Sequence, residues 1–367
     1  MSLKYINFED YNYFPALRAR QAEMKGLNEL SDARKCKIIP LITLGRWPRA
    51  ETLEVGVEKA SKAMSDKPFF LDLTHEISSL SPLIQELRDP TDGFTKWLDF
   101  AAQYTNVIPV IQMHQSQTLR DVVLQARNCE KRFGKLAFRI TDFTQSIDVV
   151  IAAMSALERV ESALVFIDSG YIRLSYAASL AATISTINMI RAQLPTALIS
   201  TLATSFPSQT GPFLDDVSGD GVISILERQL HHDLGGYSIA AYGDHSSIHA
   251  VIYDDPAVIM NWTARIDYPL ELDWEISRKS RAKALNDYRE IAAKIVRAHP
   301  EIEASDIWGE QMIRSAANGG DTVGAAPASW IGVRVNIHLS RQIDFTERLL
   351  NPVPDSDEYE EAQDLDY

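Results

Sequence analysis

The chain is short of the features that would mark it for a membrane, an oxidising compartment or a nucleic acid. No run approaches the roughly 18 consecutive apolar residues a membrane span needs. The first residues, Met-Ser-Leu-Lys-Tyr-Ile-Asn, hold no apolar stretch of the secretory type. There are two cysteines, Cys36 and Cys129, too far apart for metal-ligand spacing. A cytoplasmic protein with reduced thiols is the expectation. Positive charge is also scarce: 36 Lys and Arg stand against 50 Asp and Glu, a formal charge of −14. That balance argues against broad binding to a phosphate backbone. Half of the excess sits in residues 351–367, which hold seven acids and no base. Such a segment is expected to be a disordered, solvated tail, which leaves room for a local basic groove elsewhere.

Several catalytic signatures are missing as well. There is no Gly-x-Ser-x-Gly, no Gly-Lys-Ser/Thr and no Gly-x-Gly-x-x-Gly after the first strand. His245 and His249 have the spacing of a helical zinc pair but lack the glutamate of His-Glu-x-x-His. Cys36 opens a predicted strand and Cys129 falls on a predicted helix, so thiol catalysis is not expected. His231 and His232 are adjacent on a predicted helix and read as surface residues.

What is present is an alternation. Short apolar runs at 36–44, 67–73, 107–113, 135–140, 163–167, 196–202 and 237–242 read as strands, with 258–266 as an eighth. Segments of helical period separate most of them, at 51–64, 93–104, 119–133, 146–160, 174–194 and 222–234. An apolar start at 13–17 and a helical stretch at 18–30 precede the first strand. Strands alternating with helices mean parallel β-α units. Eight of them over about 250 residues predict an α/β fold, a (β/α)8 TIM-barrel-like domain spanning 1–276. An open doubly wound sheet is the rival. Residues 277–298 and 305–317 predict amphipathic helices, and 330–345 fits helix or strand. Residues 277–350 are therefore read as a C-terminal helical extension packed on the barrel.

Polar residues at carboxyl strand ends of such a barrel point into one mouth. They include Thr43, Arg46, Asp72, His75, Gln112, His114, Arg139, Asp142, Asp168, Thr201, Thr204, Asp244, His245, Arg265 and Asp267. Asp72 interrupts the apolar Phe-Phe-Leu-Asp-Leu, where an unpaired charge would be costly. Asp168 ends an apolar strand, and Asp244 follows Gly243. The three carboxylates are candidates to bind a divalent metal ion or to divide acid and base roles. Arg139 and Arg265 suit a phosphate or carboxylate clamp, and His245 suits a base. The competing structural reading pairs Asp72 with Arg139 and lets Asp168 and Asp244 cap turns. Trp308, Trp330, Asn336 and His338 are expected to dock the C-terminal extension.

The ordered pieces Tyr-Phe-Pro (13–15), Lys-Ile-Ile-Pro-Leu-Ile (37–42), Phe-Ile-Asp-Ser-Gly (166–170), Tyr-Gly-Asp-His-Ser-Ser-Ile-His (242–249) and Trp-Ile-Gly-Val-Arg-Val-Asn-Ile-His-Leu (330–339) resemble the beta protein family of phages and mobile elements. The likeness covers nearly the whole chain except the acidic tail. It implies no established reaction. Some family members occur in mobile-element clusters associated with defence against phage, so the resemblance implies an anti-phage role by association.

Two functions follow as expectations. One is a hydrolase or phosphodiesterase acting on a phosphorylated or nucleotide substrate through Asp72, Asp168, Asp244, Arg139, Arg265 and His245. It predicts an open pocket with converging carboxylates, with a divalent metal as a candidate cofactor. The other is a non-catalytic sensor or protein-binding module of a defence cassette, a homo-oligomer or bound to a protein partner. It predicts charges that pair off internally and leave no open pocket.

Overall fold

A computed structural model describes residues 3–75, 81–114, 116–144, 146–250, 263–279, 285–320 and 323–352. The fold is mixed α/β, with parallel sheets and twelve α-helices among the described residues. None of these helices is long and apolar enough to cross a membrane.

Seven parallel strands form the centre: β1 (Ala16–Arg18), β2 (Leu41–Leu44), β3 (Phe69–Leu73), β4 (Val107–Pro109), β5 (Leu136–Ile140), β6 (Ala163–Tyr171) and β7 (Leu198–Thr204). They make two sheets, β1-β2-β3-β4 and β5-β6-β7. Isolated parallel bridges connect Val110 to Ala137, Ser200 to Ala241, and Tyr242 to Tyr13. Backbone bonds from Phe14 N to Tyr242 O (2.9 Å) and from Ala16 N to Asp244 O (2.7 Å) reinforce the last of these.

The side-chain period of two sorts each strand into an outer and an inner face. Outward residues such as Ile42, Leu71, Phe138 and Val165 join the large core beneath the helices. Inward residues Phe14, Leu41, Phe70, Ile108, Ala137, Phe166 and Leu202 form a second core. There Phe70 and Phe166 meet edge to face at 5.1 Å, and Phe14 closes the group at 6.1–6.2 Å from both. Two residues further along the same inward face stand Thr43 after Leu41, Asp72 after Phe70, Arg139 after Ala137, and Asp168 after Phe166. The apolar plug therefore ends in a polar layer at the carboxyl ends of the strands.

An antiparallel sheet lies apart from this set, in the order β8 (Asp220–Ser224), β10 (Asp273–Arg278), β9 (Arg265–Pro269). Ile266 and Tyr268 alternate inward to pack with Ile291, Ile313, Trp330, Val333 and Ile337 of the helices Leu285–Ala298, Trp308–Ala317 and Pro327–Leu350. The last of these helices crosses Gln21–Asn28 closely. A Cβ at Gly26 would stand 2.7 Å from the Gly332 carbonyl oxygen, so glycine permits the approach.

Five expectations need correction. The strand expected at 237–242 is a 3-10 helix at Gly236–Ser238 followed by single parallel bridges at Ala241 and Tyr242, because Gly235 and Gly236 turn the chain with positive φ just before it. The apolar start contains β1, which stands beside β2 in the parallel set. The predicted eighth strand falls largely outside the described residues, and Arg265–Pro269 belongs to the antiparallel sheet because β10 supplies its partner. Residues 222–224 continue β8, and the helix there is confined to Leu226–Asp233. The helix expected from 277 gives way to strand at 277–278, and the described helix is Leu285–Ala298. The ambiguous 330–345 stretch is helical throughout. The acidic segment from 353 onward lies outside the described residues.

Candidate functional site

Asp72, Arg139 and Asp168 form a buried ion triad. Arg139 Nη1 donates to Asp72 Oδ2 at 2.9 Å and to Thr43 Oγ1 at 3.2 Å. Its Nε and Nη2 donate to Asp168 Oδ2 at 3.0 and 2.6 Å. Asp72 Oδ1 accepts from Gln112 Nε2 at 2.9 Å and from the Leu73 N–H at 2.8 Å. Asp168 Oδ1 accepts from the Gly170 N–H at 2.9 Å and lies 2.9 Å from His245 Nε2. Both carboxylates are thus bonded on every side. Burial would raise the pKa of Asp168, but the His245 imidazole and the Arg139 guanidinium outweigh it and hold the carboxyl well below its usual range. Asp72 is lowered too, with Arg139 as the main counterweight to burial.

Charge pairing leaves space beside these residues. A cavity of about 280 Å³ is lined by Arg18, Glu23, Thr43, Thr74, His75, Arg139, Thr141, His245 and Ile248. A second, of about 350 Å³, is lined by Asp72, His75, His114, Gln117, Arg139, Thr141, Asp142 and Ser146. The two share His75, Arg139 and Thr141. His75 is exposed to solvent. Desolvation by the protein beside it, with the charges of Arg88 and Arg139, outweighs the pull of Asp72 and lowers its pKa to about 4, so the ring is neutral at pH 7.

The remaining predicted site residues lie elsewhere. Asp244 is enclosed, with Tyr13 Oη and the Ser246 N–H on Oδ1 (2.9 and 2.8 Å) and Tyr242 Oη and His338 Nε2 on Oδ2 (both 2.9 Å). Burial pushes its pKa up, but His338 and these donors bring it to about 2. The aspartate ties the parallel strands to the last helix and lines neither cavity. Arg265 binds Asp267 and Thr210 on the antiparallel sheet, and Asp267 also pairs with the buried Arg334. Asp72, Asp168 and Asp244 therefore do not converge. Arg139 occupies the bridging position between the first two that a metal ion would need. Among the described residues no group of three or more His, Cys, Asp or Glu side chains is arranged to hold a metal.

Other side chains find structural roles. His249 Nδ1 meets the Phe206 carbonyl at 2.9 Å, and Thr204 donates to the Ile248 carbonyl at 2.9 Å. His231 is buried against the Ala240 carbonyl at 2.8 Å, contrary to the surface expectation, while His232 is exposed. Asn336 accepts from the Gly309 N–H at 2.8 Å and donates to the Gly26 carbonyl at 3.0 Å, far inside the packing of the last helix.

Two cavity residues escaped the sequence reading. Arg18 ends β1, and its guanidinium donates to the His249 carbonyl. Glu23 lies in the first turn of Gln21–Asn28 and accepts the Arg18 N–H through Oε2. It is 4% exposed. Burial raises its pKa against the opposing pull of Arg18. The available signal was its spacing: Glu23 and Leu27, four apart, share one helical face.

The Beta protein family model matches residues 13–344. The chain is also 43% identical over 344 residues to Protein beta of Enterobacteria phage P4, an alignment covering 94% of this chain and 96% of that one. This chain belongs to the Beta protein family.

Proposed function

We propose that the parallel strands close into a (β/α)8 barrel whose mouth binds and hydrolyses a small phosphorylated or nucleotide-like substrate. The bridges through Ala241 and Tyr242 back to Tyr13 support closure, since they join the outer strands of the two parallel sheets. The observation that carries the chemical reading is the Asp168–His245 pair, whose imidazole lines an open cavity. Asp168 engages Nε2 and fixes the ring, leaving Nδ1 to accept a proton from attacking water. Asp72 and Asp168, saturated by Arg139, hold this wall rather than attack. This narrows the catalytic set to His245, with Asp168 and Arg139 as positioning residues.

A sensor without turnover is favoured by one observation of its own, the complete pairing of both carboxylates with Arg139. Membership of a family found on a phage supports a role in conflict between mobile elements and phages for either version. The test is hydrolysis of bis-p-nitrophenyl phosphate and a nucleotide panel by the wild type and His245→Gln. A fall of about 10²–10⁴-fold is expected, the usual contribution of a positioned base. Absence of turnover by the wild type leaves the sensor reading, which phage plating on cells carrying each form then examines.

A further inference from the structure

Within that barrel mouth, and resting on the phosphorylated-substrate reading, we propose that Arg18 and Glu23 form a recognition pair for a polyhydroxylated phosphate ester. Arg18 takes the anionic oxygen and Glu23 accepts a hydrogen bond from a neighbouring hydroxyl. Three observations carry this. First, Arg139 lines the same cavity but spends its Nε, Nη1 and Nη2 on Asp72, Asp168 and Thr43. Arg18 spends one terminal nitrogen on the His249 carbonyl, and no described residue bonds to its other guanidinium nitrogens. It is therefore the cavity's guanidinium with donors to spare, and guanidinium suits phosphate oxygens.

Second, Glu23 is more than nine-tenths buried and lines the cavity, yet no described residue bonds to its Oε1. That oxygen is reached from the cavity rather than sealed, so a ligand hydroxyl can donate to it there. Third, the pair is held rigidly. The Arg18 N–H on Glu23 Oε2 couples strand end to helix, and the Gly26–Gly332 approach fixes that helix one turn later. A bare anion would satisfy Arg18 and leave Glu23 opposed. A cation would satisfy Glu23 and oppose Arg18. A ligand carrying both a phosphate and hydroxyls satisfies both. Ile248, Ala16 and Leu17 give the same cavity an apolar wall suited to the carbon face of a sugar ring.

The experiment is calorimetric titration of the full chain with ribose 5-phosphate and, separately, inorganic phosphate. The wild type is expected to bind ribose 5-phosphate at least tenfold more tightly. Glu23→Gln keeps an acceptor for the Arg18 N–H and should erase most of that preference while leaving phosphate affinity unchanged. Arg18→Gln should weaken both probes tenfold or more. Ile248→Trp, which adds bulk to the cavity lining, should abolish ribose 5-phosphate binding. Thermal melts confirm that each variant is folded. The proposal is overturned if Glu23→Gln retains the full preference, if the wild type prefers phosphate, or if neither probe binds. The hydrolase reading fails separately, if both probes behave as expected while His245→Gln leaves turnover unchanged.

Discussion

Asp168 and Arg139 share two hydrogen bonds, from Nε at 3.0 Å and Nη2 at 2.6 Å, and both end on Oδ2. The other oxygen, Oδ1, is left to His245 and the Gly170 N–H. One carboxylate thus divides its work between holding the ion triad and orienting the imidazole.

Removing the guanidinium should expose the cost of that arrangement. Arg139→Met leaves Asp72 and Asp168 buried without a cation, which costs about 3–5 kcal/mol for a broken buried pair. Urea unfolding at neutral pH measures it. The deficit should shrink as the pH is lowered towards 4 and the stranded carboxyls take up protons. An unchanged unfolding midpoint would mean the triad is open enough for water to replace the arginine.

The acid limb of wild-type stability follows from the same groups. Asp72, Asp168 and Asp244 all have folded pKa values below their ordinary ones, because buried donors and cations outweigh desolvation. Their contribution is complete above the unfolded carboxyl pKa of about 4. It is lost as pH falls through the folded values, for Asp244 near pH 2. Stability should therefore drop steeply between about pH 4 and 2. Asp168→Asn should flatten part of that slope, as read from unfolding free energies across the range.

Asp244 gives a contrast with Asp168. Asp244→Ala leaves Tyr13, Tyr242 and His338 without their common acceptor in a sealed interior. A loss of about 3–5 kcal/mol is expected for a broken buried charged network. Tyr13→Phe removes one donor and should cost about 1 kcal/mol. Chemical denaturation separates the two. If Asp244→Asn folds normally and still abolishes turnover, Asp244 belongs to the chemistry after all.

Which parts were readable in the sequence depended on whether a local pattern had one physical meaning. Phe-Phe-Leu-Asp-Leu could only bury an aspartate, and its partner Arg139 follows from inward periodicity on both strands. Three short strands carry no such single meaning. β1 has only three residues, too few for a periodic signal, and its strand character comes from pairing with β2. β8 runs directly into a helix at Leu226, so one apolar stretch served two elements. Arg265–Pro269 alternates like any half-buried strand, and only tertiary pairing with β10 shows that it leaves the parallel set. Asp244 looked like a strand-end acid because its acceptor role depends on His338, 94 residues later. Glu23 shows the reverse problem: an acid in a helix's first turn is commonplace, and its burial comes from tertiary packing that no local pattern marks.

Glu23 carries a stability cost of its own. Its folded pKa is raised by burial, so the folded state holds the carboxyl proton more tightly than the unfolded chain does. The sign is opposite to that of Asp168. Folding is favoured at pH values below the unfolded pKa, and that advantage is lost as pH rises through the folded pKa. At pH 7 the ionised Glu23 opposes folding, and Glu23→Gln removes the opposition while keeping an acceptor for the Arg18 N–H. The variant should melt higher than the wild type at pH 7, with a stability gain on the order of 0.5–2 kcal/mol, the range of single stabilising substitutions. The gap should narrow at acid pH. Saturating ribose 5-phosphate should reverse the order, because the ligand stabilises the form it binds more tightly. Differential scanning calorimetry at several pH values, with and without the sugar phosphate, gives all three comparisons. A variant that melts lower at every pH would assign Glu23 to the packing of the helix Gln21–Asn28 rather than to the cavity.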